Sequence, residues 1–156
     1  MALSQVSLTQ EDGVVCQIFT KGHIITADDP ADPKGEDEGP TPLEYLLAAL
    51  GSSAAIALRR AGDARDLPIE EVQVQTKYRA TFASLAAGTD DPVSAGAIQR
   101  ELRVRITRDI TEDERDALLA AIKSSPVDRT LGTGVKIEDA LYILGYAQPD
   151  EGVIVE

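Results

Sequence analysis

The stretch GPTPLEYLLAALGSSAAIALRRAG, Gly39 to Gly62, decides how the rest of the chain is read. It opens with helix-start chemistry. Thr41 can cap the first turn, Pro42 suits the first helical position, and Glu44 three residues after Thr41 completes a capping box. Leu43, Leu46, Leu47, Leu50, Ala54, Ala57 and Leu58 then recur on one stripe at helical spacing. The opposite side, with Tyr45, Ala48, Ala49, Ser52, Ala55 and Ile56, is almost as apolar. A helix apolar all round is expected to be buried all round, and in so short a chain that calls for a second subunit over one face. Arg59 and Arg60 suit the negative end of the helix dipole, and Gly62 is the expected C-cap.

Before this helix, VSLTQEDGVVCQIFTKGHIITAD reads as three strands joined by turns at Asp12-Gly13 and Lys21-Gly22. Between them and the helix lies an acidic stretch rich in Pro and Gly, Asp28 to Glu38, expected to be a solvated loop. After the helix, VQVQTKYRATF alternates with Val72, Val74, Thr76, Tyr78, Ala80 and Phe82 on one face, and AIQRELRVRIT does so with Ile98, Leu102, Val104 and Ile106. These predict two half-buried antiparallel strands joined by the polar run 83–96. A second capping box, Thr111 with Glu114, opens a helix carrying Leu118, Leu119 and Ile122, which ends before Pro126. The segments 135–146 and 152–156 are apolar and fit either strand or helix.

The chain has 156 residues, 43% hydrophobic and 27% charged, as expected of one globular domain spanning 1–156. Asp and Glu number 27 against 15 Lys and Arg, a formal net charge of −12. Such a surface repels phosphate backbones and anionic lipid, so neither nucleic acid nor membrane is an expected partner. The apolar run Tyr45 to Leu58 is shorter than the roughly 18 residues of a membrane span. No export signal is visible, and a cytoplasmic location is the expectation. The single Cys16 excludes an internal disulfide and the single His23 excludes the usual zinc patterns, so no metal and no cofactor is expected.

Two serine pairs, Ser52-Ser53 and Ser124-Ser125, raise the question of chemistry. Serine nucleophiles need a base and an oxyanion hole, and LGSSAAI lacks the second glycine of a nucleophile elbow. A structural reading also fits: small residues from Gly51 to Ala55 let a neighbouring backbone approach the helix closely. Cys16 lies on the same strand face as Val14 and Ile18, where free cysteine is usually a small buried hydrophobe. His23, beside the Lys21-Gly22 turn, is expected at the surface.

GPTPLEYLLAALGSSAAIALRRAG resembles the central-helix signature of the OsmC/Ohr family, the osmotically inducible and organic-hydroperoxide-resistance proteins. In the closest subgroup that segment runs GPTPLE, LLAALG, then Ser-Cys. DITEDERDALLAAIKSSPVDRTL, Asp109 to Leu131, resembles the family stretch that leads into C-P-V-H-R-T-L. The likeness runs from about Gly13 to Ile137. It implies an α+β fold of antiparallel sheets packed around a long buried central helix, in an intertwined homodimer.

The family's thiol-dependent hydroperoxide reductases, proteins of oxidative-stress defence, attack the peroxide bond with a cysteine thiolate, and a second cysteine resolves the sulfenic acid. The resemblance puts the peroxidatic position at Ser53 and the resolving position at Ser125, both serine here. It makes Glu44 the counterpart of an orienting glutamate, while its capping box accounts for it equally. Asp128 stands where the subgroup often has His, and Lys21 is the nearest basic residue to the family's thiolate-stabilising arginine.

The expected function is therefore a non-peroxidase that binds a small apolar or acyl-type ligand in a pocket at the dimer interface. There Ser53 and Ser125 would offer hydroxyls to a carbonyl or carboxylate. The alternatives are a hydroperoxide reductase using Cys16 and a serine hydrolase acting through Ser53 or Ser125.

Overall fold

The computed structural model describes residues 4–8, 13–79, 97–132 and 134–145. The elements in order are β1 (Gln5–Ser7), β2 (Cys16–Thr20), β3 (His23–Ala27), α1 (Pro42–Asp63), β4 (Ile69–Arg79), β5 (Ala97–Ile106), α2 (Glu112–Lys123), α3 (Pro126–Leu131) and β6 (Ile137–Leu144). This is the mixed α+β architecture expected, with two three-stranded sheets. Ala80, Phe82, the run 83–96 and the segment 152–156 lie outside the described residues, as does Asp12 of the first turn. The chain divides into two compact units, Met1–Leu46 and Leu47–Glu156, with the boundary inside α1.

In the first unit β1, β2 and β3 form an antiparallel meander. Lys21 and Gly22 have φ of 47° and 81° between the closing pair Thr20 and His23. Two successive left-handed residues give the turn whose twist matches the strands it joins, which is why a glycine follows the lysine. The acidic stretch is no slack loop. Asp28 is buried, and its carboxylate accepts the backbone N–H groups of Asp29 at 2.7 Å, Glu36 at 2.9 Å and Glu38 at 3.1 Å. Its own N–H donates to Pro40 O, closing the loop at its base. The expectation of a simply solvated segment thus fails at Asp28, because its buried carboxylate satisfies three of the loop's backbone donors.

The α1 start forms as expected. Thr41 N–H donates to Glu44 Oε2 at 2.7 Å and Glu44 N–H donates to Thr41 Oγ1 at 3.3 Å, the two halves of a capping box. Tyr45 anchors the first turn by donating its phenol to Thr26 O at 2.5 Å.

In the second unit β4 pairs antiparallel with β5, in the alternation the sequence displays. The sheet is not wholly antiparallel, however: β6 lies parallel to β5, with Arg100 opposite Asp139. A parallel neighbour requires a crossover, and the segment holding α2 and α3 supplies it. One face carries the core. Ala54, Leu58 and Ala61 from α1, Leu118 and Ile122 from α2, and Leu102, Val104, Ile106 and Leu141 from the sheet are its centre. Each fully buried leucine or isoleucine in it contributes about 1.5–3 kcal/mol.

Within the single chain α1 is buried along one stripe, Leu50, Gly51, Ala54, Leu58, Ala61 and Gly62, while Leu43 is 42% and Ile56 53% exposed. One expectation for α1 needs correction. Gly62 is inside the helix and is not its C-cap; a methyl group there would push against the end of the Ile69 side chain, so the glycine lets Ile69 pack close to the helix. Arg59 does more than complement the helix dipole, because its guanidinium donates to the backbone carbonyls of Ile69 and Glu70.

Candidate functional site

Residues of distant sequence meet where α1 passes the start of α3. Ser53 is half-buried in α1, and Val127 N–H donates to its Oγ at 3.5 Å. Ser125 is the extended residue between α2 and α3 and caps α3, accepting Asp128 N–H on its hydroxyl at 3.4 Å. That geometry follows from Pro126, which suits the first helical position and disfavours helical backbone at Ser125. The Ser125 hydroxyl donates in turn to Asp128 Oδ2 at 2.7 Å, and both residues are buried.

Behind Asp128 stands a cation absent from the sequence-derived candidates. Arg100, on the inner row of β5, is fully enclosed. Its Nη1 and Nη2 donate to Asp128 Oδ2 and Oδ1 at 2.8 and 2.7 Å, and its Nε donates to Asp139 Oδ1 at 2.7 Å. Lys123, exposed at the rim, pairs with the other oxygen of Asp139. Burial works against the charge on Arg100, yet hydrogen bonds to Asp128 and Asp139 win and raise its pKa above the ordinary guanidinium value. Burial likewise opposes ionisation of Asp139, but the donors Arg100 and Lys123 hold its pKa below the usual 3.8. The cluster is fully hydrogen-bonded, as the low interior dielectric demands: among the described residues no buried side-chain nitrogen or oxygen lacks a partner.

The other candidates stand apart from this cluster in their bonding. Glu44 spends its carboxylate on Thr41, whose backbone N–H and then hydroxyl hold the Glu44 pKa below 4.5. Cys16, half-buried at the start of β2, makes one described hydrogen bond, from its thiol to Val14 O at 3.7 Å. His23 and Lys21 are exposed at the β2–β3 turn.

A groove of about 210 Å³ runs along the flank of α1, between Leu47, Ala48, Gly51, Ser52 and Ala55 on the helix and Val74 and Thr76 on β4. It is reached from Ser52, one residue from the expected Ser53. Both its hydroxyls donate to helix carbonyls, Ser52 to Ala49 O and Thr76 to Leu47 O, each at 3.2 Å. Among the described residues no three His, Cys, Asp or Glu side chains gather in a way that could hold a metal ion.

The family model described as OsmC, OsmC-like protein, matches residues 35–138. The chain belongs to the OsmC-like family. Solved structures agree on the fold. The OsmC-like protein of unknown function from Vibrio cholerae superposes with a TM-score of 0.73 at 11% identity, over 90% of this chain and 98% of that one. The OsmC-like protein from Mycoplasma pneumoniae gives 0.69 at 18% identity, over 92% and 96%. An organic hydroperoxide resistance protein of Bacillus subtilis gives 0.60 at 14%, over 90% and 97%. No curated protein matches the sequence. No described helix of this OsmC-like chain is long and apolar enough to cross a membrane.

Sequence reading missed Arg100 and Asp139. The signal for Arg100 was present: in AIQRELRVRIT it is the one charged residue in register with Ile98, Leu102, Val104 and Ile106. A long cation on an inward row requires a buried anion, and the anions lie 28 and 39 positions further along the chain.

Proposed function

We propose that this OsmC-like chain is a non-peroxidase that binds a small apolar or acyl-type ligand where Ser53 and Ser125 come together. In this reading Ser53 occupies the family's peroxidatic position and Ser125 its resolving position, and the whole chain is one domain working as a homodimer in the cytoplasm. The observation that carries it is the meeting of Ser53 with Val127 N–H, beside a Ser125 hydroxyl already bonded to Asp128. A thiolate must be generated and oxidised in the family's reaction, and a serine hydroxyl does neither near neutral pH. Nor does the site support a serine hydrolase, since both Asp128 oxygens are paired with Arg100 and are not available to a proton-accepting base. The exposed apolar side chains of α1, Leu43, Leu46 and Ile56, support a second copy packed on this helix.

The test is extraction of the purified protein followed by mass spectrometry, with thermal stabilisation by medium-chain acyl compounds measured in parallel. A co-purifying apolar molecule, or a rise in Tm with acyl compounds, is expected. Absence of both overturns the binding role. Consumption of an organic hydroperoxide with a dithiol, lost on Cys16→Ser, would instead assign peroxidase chemistry to Cys16. Labelling of Ser53 or Ser125 by a fluorophosphonate would assign hydrolysis.

A further inference from the structure

We infer that Lys123 is a surface charge switch for the buried cluster: acylation of its amine unbalances Arg100, Asp128 and Asp139 and loosens the α2–α3 junction. The inference concerns control of the fold and stands apart from the identity of any ligand.

Inside the protein one guanidinium faces two carboxylates. Arg100 holds Asp128 through both Nη atoms and Asp139 through Nε. Lys123, the last residue of α2, supplies the second positive charge from outside by pairing with Asp139 Oδ2. Its side chain is 58% exposed and that of Asp139 only 7%. A reagent in solvent therefore reaches Lys123, while the three groups it balances are enclosed. The pair of Lys136 with Glu138 differs, because both members are exposed and water screens them. Loss of the Lys123 charge leaves a net negative charge in the interior, which is costly, whereas the same loss at Lys136 costs little.

The element that responds is next along the chain. Ser125 bonds to Asp128, and Asp128 lies in α3, a helix of 6 residues. A helix that short is not stable alone, so its place depends on what holds Asp128. Without Lys123, Arg100 must serve both carboxylates unaided, and its grip on α3 weakens. Acylation needs an activated acyl donor such as an acyl phosphate. The unprotonated amine attacks the carbonyl carbon, and a C–N bond forms as the C–O bond to phosphate breaks. Phosphate leaves with that electron pair, the surplus amine proton passes to water, and the amide product is uncharged.

The experiment has two arms, both on the full chain. In the first, the protein is incubated with acetyl phosphate at mildly alkaline pH and the modified lysines are located by peptide mass spectrometry. Lys123 is expected among them; an unmodified Lys123 beside acylated Lys21, Lys34 or Lys136 overturns the inference. In the second, hydrogen exchange is followed at the amides of Asp128 and Arg129, which bond to Ser125. Lys123→Gln, neutral like the acylated side chain, is expected to accelerate their exchange severalfold and to leave the β5 amides protected. Lys123→Arg, which keeps the charge, and Lys136→Gln are expected to exchange at the parent rate. No acceleration in Lys123→Gln overturns the inference, as does equal acceleration in either of the other variants or across β5.

Discussion

Asp28 and Asp128 are both buried, and they are held in different ways. Asp28, in the first unit, pairs with no cation among the described residues: its carboxylate is held by the backbone N–H groups of residues 29, 36 and 38. Asp128, in the second, lies in a bidentate pair with Arg100 and accepts a further hydrogen bond from the Ser125 hydroxyl. The first arrangement ties a loop to itself over eleven residues. The second ties together two strands and the α2–α3 junction, distant in sequence. Local amides organise local chain, whereas a guanidinium reaches across the fold and stakes more on a single residue.

The sharpest way to break this comparison is Arg100→Met. It leaves the buried Asp128 without a cation and Asp139 with only Lys123 at the rim, and should lower stability by about 3–5 kcal/mol, seen as an earlier urea midpoint. A midpoint unchanged by the substitution would mean that the cluster is solvated and holds nothing. Asp28→Ala should act locally. Amide exchange at Glu36 and Glu38 should accelerate to the rate of an open loop, while the amides of β5 keep their protection. Parallel acceleration in β5 would show that the two regions are not independent.

Ser125→Ala removes a helix cap and one donor to Asp128, with an expected loss of about 1 kcal/mol by denaturant melts. The smallest and most diffuse effect is the response to acid. Asp28 is held below its usual 3.8 by its bond from Glu38 N–H, against burial and with help from Glu36 and Asp29, and Asp139 is held below 3.8 as described. Glu114, paired first with Arg108 and then with Thr111, is lowered from 4.5 to about 2. In all three the unfolded chain takes up protons first, so the stability they give is present above the unfolded pKa and lost as pH falls through the folded one. Thermal melts should therefore hold steady down to about pH 4.5 and decline from there towards pH 2. A flat Tm over that interval would contradict the assignment.

How much of this was legible in the sequence varies with the range of the interaction. The capping boxes of Thr41 with Glu44 and Thr111 with Glu114 were readable and formed as read, because donor and acceptor are three residues apart. So was the alternation of β4 and β5, where a period of two decides which side chains face the core. Gly62 was misread as a helix stop because a close-approach glycine and a capping glycine look alike without Ile69 beside them. The parallel placement of β6 was open in the sequence, since an apolar run does not state its neighbour or its direction.

The candidate site divides in the same way. Ser53 and Ser125 were singled out from the motifs that surround them, and those motifs alone were enough to suggest the family. That Ser125 is bound to Asp128, that Asp128 belongs to Arg100, and that Arg100 also holds Asp139 were decisions of the tertiary structure. The sequence by itself determined the helices, their caps, the alternating strands and the absence of a thiol at both serine positions, all set by short-range chemistry. Only the folded chain determined which charges share the interior. A buried charge is tolerable only beside its counter-charge, and that partner is fixed by strand register and helix packing, not by nearness along the chain.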